Sequence, residues 1–254
     1  MKPRVGIFGL SGCWGEQIVI LNCEDRLLDV LGAVELVDFL GGSSVNDTES
    51  PLDLALVEGS VGSARDEKAL LGIRERAKLL IACGSCAAFG GVSAMDGRAP
   101  RKAMIDRVYG KPGLGFDAPP HRPLKDVVKV DYTLTGCPIE KDEFLRAVSS
   151  ILAGDLPLPP TTPVCHECKM LERDCLLVSR GLPCAGAVTL GGCGARCPGY
   201  DVPCIGCRGP SAESNLDSLA EILVEKGFSA TTVEDKLRTF AAPAIGPRGQ
   251  GGAA

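Results

Sequence analysis

Eight of the thirteen cysteines in this chain fall between positions 165 and 207, a window of 43 residues. That window has little apolar periodicity from which to build a core. Its fold is therefore expected to depend on bound metal, as in other small metal domains. The spacing narrows the metal. Cys165 and Cys168 form C-x2-C, Cys193 and Cys197-Pro198 form C-x3-C-P, and Cys204 and Cys207 form a second C-x2-C, with Cys175 and Cys184 between them. The short C-x2-C and the C-x3-C-P ending are the local geometry of bacterial [4Fe–4S] runs. Eight thiols suffice for two sites of four ligands, and iron–sulfur is the preferred reading. Two four-thiolate zinc sites rank second, since zinc also accepts C-x2-C pairs. Disulfides rank third, because Met1-Lys2-Pro3-Arg4 leads straight into an apolar run without the separate hydrophobic segment of an export signal.

A chain of 254 residues holds one large domain or two modest ones. Its net charge of −5 argues against a general nucleic-acid binder, which carries a basic patch. No stretch approaches the ~18 apolar residues that span a bilayer. The expectation is a soluble protein of a reducing compartment, the cytoplasm, with neither nucleic acid nor membrane as partner.

The first part of the chain alternates two hydrophobic periods. Strands are read at 5–10, 33–39, 54–59, 79–82 and 127–134, and helices at 16–31, 64–78 and 140–152. Alternating strands and helices predict an α/β fold with a doubly wound parallel sheet. In such sheets functional groups gather beyond the carboxyl ends of strands. Cys13, Cys86 and Cys137 each follow a strand in this reading, and Glu58 ends another. The Pro-rich stretch at 157–163 is stiff and marks the boundary between a domain of residues 1–156 and a cysteine-rich domain of residues 157–254. Two short helices are read within 211–241, and 246–254 reads as a frayed tail.

These residues resemble a known family. Gly84-Ser85-Cys86-Ala87-Ala88-Phe89-Gly90-Gly91 and Thr135-Gly136-Cys137-Pro138 resemble two proximal-cluster motifs of [NiFe]-hydrogenase small subunits. Glu58-Gly59-Ser60-Val61 resembles that family's acidic strand end. The cysteine window, closing in Cys204-Ile205-Gly206-Cys207-Arg208-Gly209-Pro210, looks like the small subunits of the cytoplasmic, multimeric group. Those serve nicotinamide-, deazaflavin- or heterodisulfide-linked enzymes. The resemblance covers roughly residues 5 to 210. It implies a flavodoxin-like domain whose proximal cluster faces the nickel–iron site of a separate large subunit. A small iron–sulfur domain with a medial and a distal cluster follows, giving three [4Fe–4S] clusters in all. The implied partners are the large subunit and a flavin- or iron–sulfur-containing electron-acceptor subunit. The chain has no pair of C-x2-C motifs at its two ends to hold nickel, so the hydrogen chemistry is expected in the large subunit.

In one motif the sequence departs from the family. Where the first proximal motif normally reads C-x-x-C, this chain has Cys13-Trp14-Gly15-Glu16. Glu16 is the preferred fourth ligand beside Cys13, Cys86 and Cys137. The plainer account is a carboxylate in the first turn of a helix, where the helix dipole favours it. Cys83, Cys23 and a non-protein ligand are its rivals. For the other two clusters the ligands are Cys165, Cys168, Cys175, Cys184, Cys193, Cys197, Cys204 and Cys207. They divide either contiguously, the first four against the last four, or interleaved, with Cys193 exchanged for Cys184. Family spacing leans toward the interleaved division.

The remaining candidates are weaker. His166 reads as a solvated residue or as one that supports the ligands without touching metal, and His121 as a loop residue without a role. Trp14 screens the first cluster or packs at a subunit interface. Arg208 donates to cluster sulfur or, more plainly, makes a surface salt bridge. Two competing functions stay open, the related cluster subunit of a quinone-reducing complex and a zinc-binding interaction module. Adjacent cysteines in the first motif would mark the former, and they are absent here.

Overall fold

The computed structural model describes residues 2–95, 101–110 and 119–246. Among these, strands β1 (Arg4–Gly9), β2 (Glu35–Asp38), β3 (Leu52–Glu58), β4 (Ala77–Cys83) and β5 (Tyr132–Leu134) form one parallel sheet in the order β2-β1-β3-β4-β5. This is the flavodoxin-like strand order. The expected doubly wound α/β sheet is therefore present.

The central strands are apolar throughout because both faces are covered. Leu54, Leu56, Ile81 and Cys83 face one side, where Ile20, Phe144, Ala147 and Val148 pack on them. Those partners come from α1 (Gly15–Leu21) and, past α2 (Asp25–Ala33), α3 (Ala64–Arg76), α4 (Gly84–Phe89) and α5 (Arg101–Tyr109), from α6 (Lys141–Leu152). Ala55, Val57, Leu80 and Ala82 face the other side, against Leu70 and Ile73 of α3 and Ala87 of α4. Ser63 caps α3 by accepting the Asp66 N–H at 3.1 Å.

Two elements differ from their sequence reading. The helix read over 16–31 is two helices, broken at 22–24, where Glu24 takes a φ of +50° and Cys23 turns into the core. The strand read over 127–134 shortens to its last three residues. There Asp131 places a carboxylate oxygen, rather than a backbone carbonyl, 2.9 Å from the Leu80 N–H, so the ladder stops.

Beyond the sheet come α7 (Val164–Met170), α8 (Leu176–Ser179) and α9 (Arg196–Gly199), joined by long irregular segments. The apolar support lies farther along, in α10 (Leu216–Glu225) and α11 (Ala230–Arg238), whose Leu219, Leu223, Val233 and Leu237 close over Ala185 and Val188. A last short helix, α12 (Ala242–Ile245), packs back on α4. Of the tail read at 246–254, all but Gly246 lies outside the described residues.

Candidate metal centres

Sheet register sets up the first site. Gly9 pairs with Glu58, Glu58 with Cys83, and Cys83 with Leu134, so four strands end level with one another. The loops beyond β1 and β5 carry Cys13 and Cys137, and the first turn of α4 carries Cys86, to one edge of the sheet. Glu58 turns back from its strand end, and its Oε2 accepts the backbone N–H groups of Glu16 (3.0 Å) and Gln17 (3.1 Å). The start of α1 is thereby fixed beside the thiols. Trp14, at φ +65° just before α1, keeps its indole half-exposed next to Cys13.

Glu16 lies 5% exposed, with its carboxylate over Gly84. A Cβ on Gly84, which has a φ of +84°, would collide with Glu16 Oε1, so the glycine is required by the approach. Gly91 plays the same part for the Cys86 sulfur. Burial and then the Glu58 charge push the Glu16 carboxyl up to about 8. The Cys86 thiol is pushed up to about 12 by burial, then by Glu16, Cys137 and Cys13. Cys137 is pushed up to about 11 by burial, then by Glu16, Cys13 and Cys207. Cys13, Glu16, Cys86 and Cys137 are thus close neighbours. Of the two rival thiols, Cys83 also feels the Glu16 and Glu58 charges, but it lies deeper, fully buried at the end of β4. Cys83 and Cys23 both belong to the apolar cluster beneath α1 and α6, with Cys23 Sγ 3.5 Å from the Val19 carbonyl.

The eight later cysteines form a continuation. Burial raises Cys165 to about 11, and its thiol neighbours are Cys184, Cys168 and Cys175. Cys168 has Cys184 and Cys175 beside it. Gly186 lies between them: a Cβ there would lie 3.4 Å from Cys165 Sγ and 3.6 Å from Cys184 Sγ. Cys204, raised to about 12 by burial, neighbours Cys184 and Cys207, and its N–H donates to Cys184 Sγ at 3.2 Å. Cys207 neighbours Cys197, and the Cys137 backbone N–H faces its thiol. Cys193 stands with Arg208 and with Glu167, whose Oε1 accepts the Gly192 N–H at 2.7 Å and Oε2 the Ala195 N–H at 3.1 Å. The first three cysteines of the window gather with Cys184, and Cys184 in turn touches Cys204, so its thiol borders both of the divisions read from the sequence.

Glu167 had no signal beyond its place inside C-H-E-C, and its partners are 25 and 28 residues away. His166 is exposed, as read. His121 Nδ1 lies 2.8 Å from Ser60 Oγ. Arg208 is a correction to the surface ion pair expected from sequence. It is 1% exposed and holds Glu143 in a two-pronged pair at 2.8 Å per prong.

The donor set suits iron–sulfur chemistry. Buried thiols resist ionising together, and iron supplies the positive charge that lets several be thiolates side by side. A four-iron cluster takes its cysteine ligands at different irons.

Fold and site together define an iron–sulfur subunit of an oxidoreductase complex. The sequence profile described as NADH ubiquinone oxidoreductase, 20 Kd subunit, matches residues 13–151, and the chain belongs to this family. Relatives that match nearly its whole length are hydrogenase subunits. It is 39% identical over 240 residues to sulfhydrogenase 2 subunit delta of Pyrococcus furiosus, covering 94% of this chain and 99% of that one. It is 32% identical over 268 residues to a subunit of the F420-non-reducing hydrogenase vhu of Methanocaldococcus jannaschii, covering 93% of each. Among solved structures, a chain of an NAD+-reducing [NiFe]-hydrogenase in the H2-reduced state matches with a TM-score of 0.55 at 25% identity, covering 63% of this chain and 96% of that chain.

Proposed function

We propose that this chain is the electron-transferring small subunit of a cytoplasmic [NiFe]-hydrogenase and holds three [4Fe–4S] clusters. Cys13, Glu16, Cys86 and Cys137 would hold the first, Cys193, Cys197, Cys204 and Cys207 the middle one, and Cys165, Cys168, Cys175 and Cys184 the last. The observation that carries this is an unbroken succession of thiol neighbours, from Cys86 to Cys137, to Cys207, to Cys204, to Cys184 and on to Cys165. When bound, such clusters take up and release single electrons at potentials set by ligands, hydrogen bonds to sulfur and burial.

The protein's own residues fix and enclose the ligands. Glu58 and Gly84 seat Glu16, Gly186 lets Cys165 and Cys184 close in, and Glu167 ties the Cys193 loop to α7. Residues 1–156 serve as the domain facing the large subunit, and 157–254 as the domain facing an electron-acceptor subunit that carries flavin or iron–sulfur. Among the described residues no helix is long and apolar enough to cross a membrane.

The quinone-reducing alternative is less favoured, because the family profile ends at residue 151, before the eight-cysteine window, whereas hydrogenase subunits match nearly the whole chain. The test is anaerobic isolation of the native complex with its co-purifying subunits identified by mass spectrometry. About twelve iron atoms per chain are expected, four for each of three clusters. Stoichiometric zinc with negligible iron and sulfide would refute the reading, as would hydrogen turnover by the rigorously purified chain alone.

A further inference from the structure

Arg208 follows the last candidate ligand of the chain, yet its side chain runs back into the other domain. Nε donates to the Gly191 carbonyl at 2.7 Å and one terminal nitrogen to the Thr135 carbonyl at 2.7 Å. The same nitrogen and its twin hold both oxygens of Glu143 at 2.8 Å. Thr135 begins the loop that carries Cys137, and Gly191 lies two residues before Cys193. One guanidinium thus pins segments of both domains directly beside Cys207. Nearby, Ser85 Oγ donates to the Cys207 carbonyl, a second tie across the same junction.

The ion pair also has a direction. Arg208 is an electrostatic neighbour of Cys193 and Cys207. Glu143 grips only the two terminal nitrogens, leaving Nε to reach the Gly191 carbonyl beside Cys193, and both ends of the pair act on Tyr132. The positive end of the pair therefore faces the middle set of thiols. Other charges face that set as well: Glu167 and Arg196 at Cys193, Glu140 at Cys207, and Lys236 at Cys204 and Cys197. None of the other four is buried as Arg208 is. Water and salt weaken the fields of exposed charges, while a charge excluded from solvent keeps more of its own.

We propose that Arg208 is a positioning residue that locks the Cys137 loop against Cys207 and that its buried positive charge raises the reduction potential of the middle cluster. The proposal rests on the function proposed above. Added positive charge favours the reduced, more negative form of a cluster, and net charge is among the factors that set cluster potentials. The two-pronged pair with Glu143 fixes the guanidinium so that the field keeps one orientation.

The test is a potentiometric titration of the anaerobically isolated complex followed by electron paramagnetic resonance. The middle-cluster signal is assigned as the one altered in Cys207→Ser. Arg208→Gln should move that potential downward and leave the other two in place. Arg208→Lys keeps the charge without the fork and should restore most of the shift, which a purely structural role would not. Glu143→Gln removes the opposing end of the pair and should move the same potential upward, a readout that stands even if Arg208→Gln fails to assemble. An unmoved middle potential in Glu143→Gln or in assembled Arg208→Gln, or a common shift of all three, would overturn the proposal. Iron and sulfide counts on the same samples separate the two claims. A full complement with an unmoved potential sinks only the role of Arg208, and a deficit in the parent complex sinks the function as well.

Discussion

Glu58 Oε2 accepts the backbone N–H of Glu16 at 3.0 Å, so the last residue of β3 caps the helix that presents the one acidic candidate ligand. Glu58 is 2% exposed, and its other oxygen, Oε1, is buried without a partner. A carboxylate buried in this way is strongly committed to the two N–H groups it receives. The position of Glu16 depends on a residue 42 positions away.

Glu58→Ala should loosen α1. Losing a charged acceptor of two N–H groups costs about 2 kcal/mol, or about a thirty-fold rise in amide exchange. Hydrogen–deuterium exchange of the intact complex should show the rise at residues 15–21 with little change in α6. Unaltered protection at Glu16 and Gln17 would show that the cap contributes nothing.

Glu16→Ala should make the first cluster labile or convert it toward a three-iron form, because a methyl group cannot replace the carboxylate. Glu16→Cys should retain the cluster with a different potential and a different paramagnetic signal, since thiolate is the softer ligand. Cys83→Ser and Cys23→Ser should leave that signal as it is, for both thiols face the apolar cluster. Loss of the signal in either serine variant, or an unchanged cluster in Glu16→Ala, would move the fourth ligand elsewhere.

The contiguous division of the later cysteines makes a pairwise prediction. Cys184→Ser should disturb the same signal as Cys165→Ser, and Cys193→Ser the same signal as Cys207→Ser. The interleaved division requires the opposite pairing. Spectra of the four variants decide between them.

Asp131 gives a pH dependence. Burial alone would raise its carboxyl, but the Leu80 N–H, Arg74 and Lys129 outweigh that and hold it below the usual carboxylate range. A depressed carboxylate contributes stability that is fully present above the unfolded value, ~3.9, and is lost as pH falls through the folded one. Asp131→Asn should therefore speed exchange at residues 79–83 by a ratio that stays constant from about pH 5 to 8. A ratio drifting within that window would exclude this origin.

Much of the site could be read in the sequence because its chemistry is local. C-x2-C and C-x3-C-P spacings mark which thiols are candidate metal ligands, though not how they divide between two metals, and three strand-then-cysteine segments fix which edge of a parallel sheet receives Cys13, Cys86 and Cys137. Apolar runs gave the strands, although the break at 22–24 and the early stop before β5 escaped. A buried Cys23 and a carboxylate standing in for a carbonyl leave no periodic trace.

The rest required the tertiary structure. No spacing rule brings Glu58 under Glu16, Glu167 under the Cys193 loop, or Arg208 onto Glu143, for these pairs lie 42, 26 and 65 residues apart. Nor could sequence tell a buried Arg208 from a solvated one. Thiol motifs are set by bond lengths along a short chain. The charges that surround those thiols are set by which distant segments the sheet register and the Pro-rich connector bring into contact.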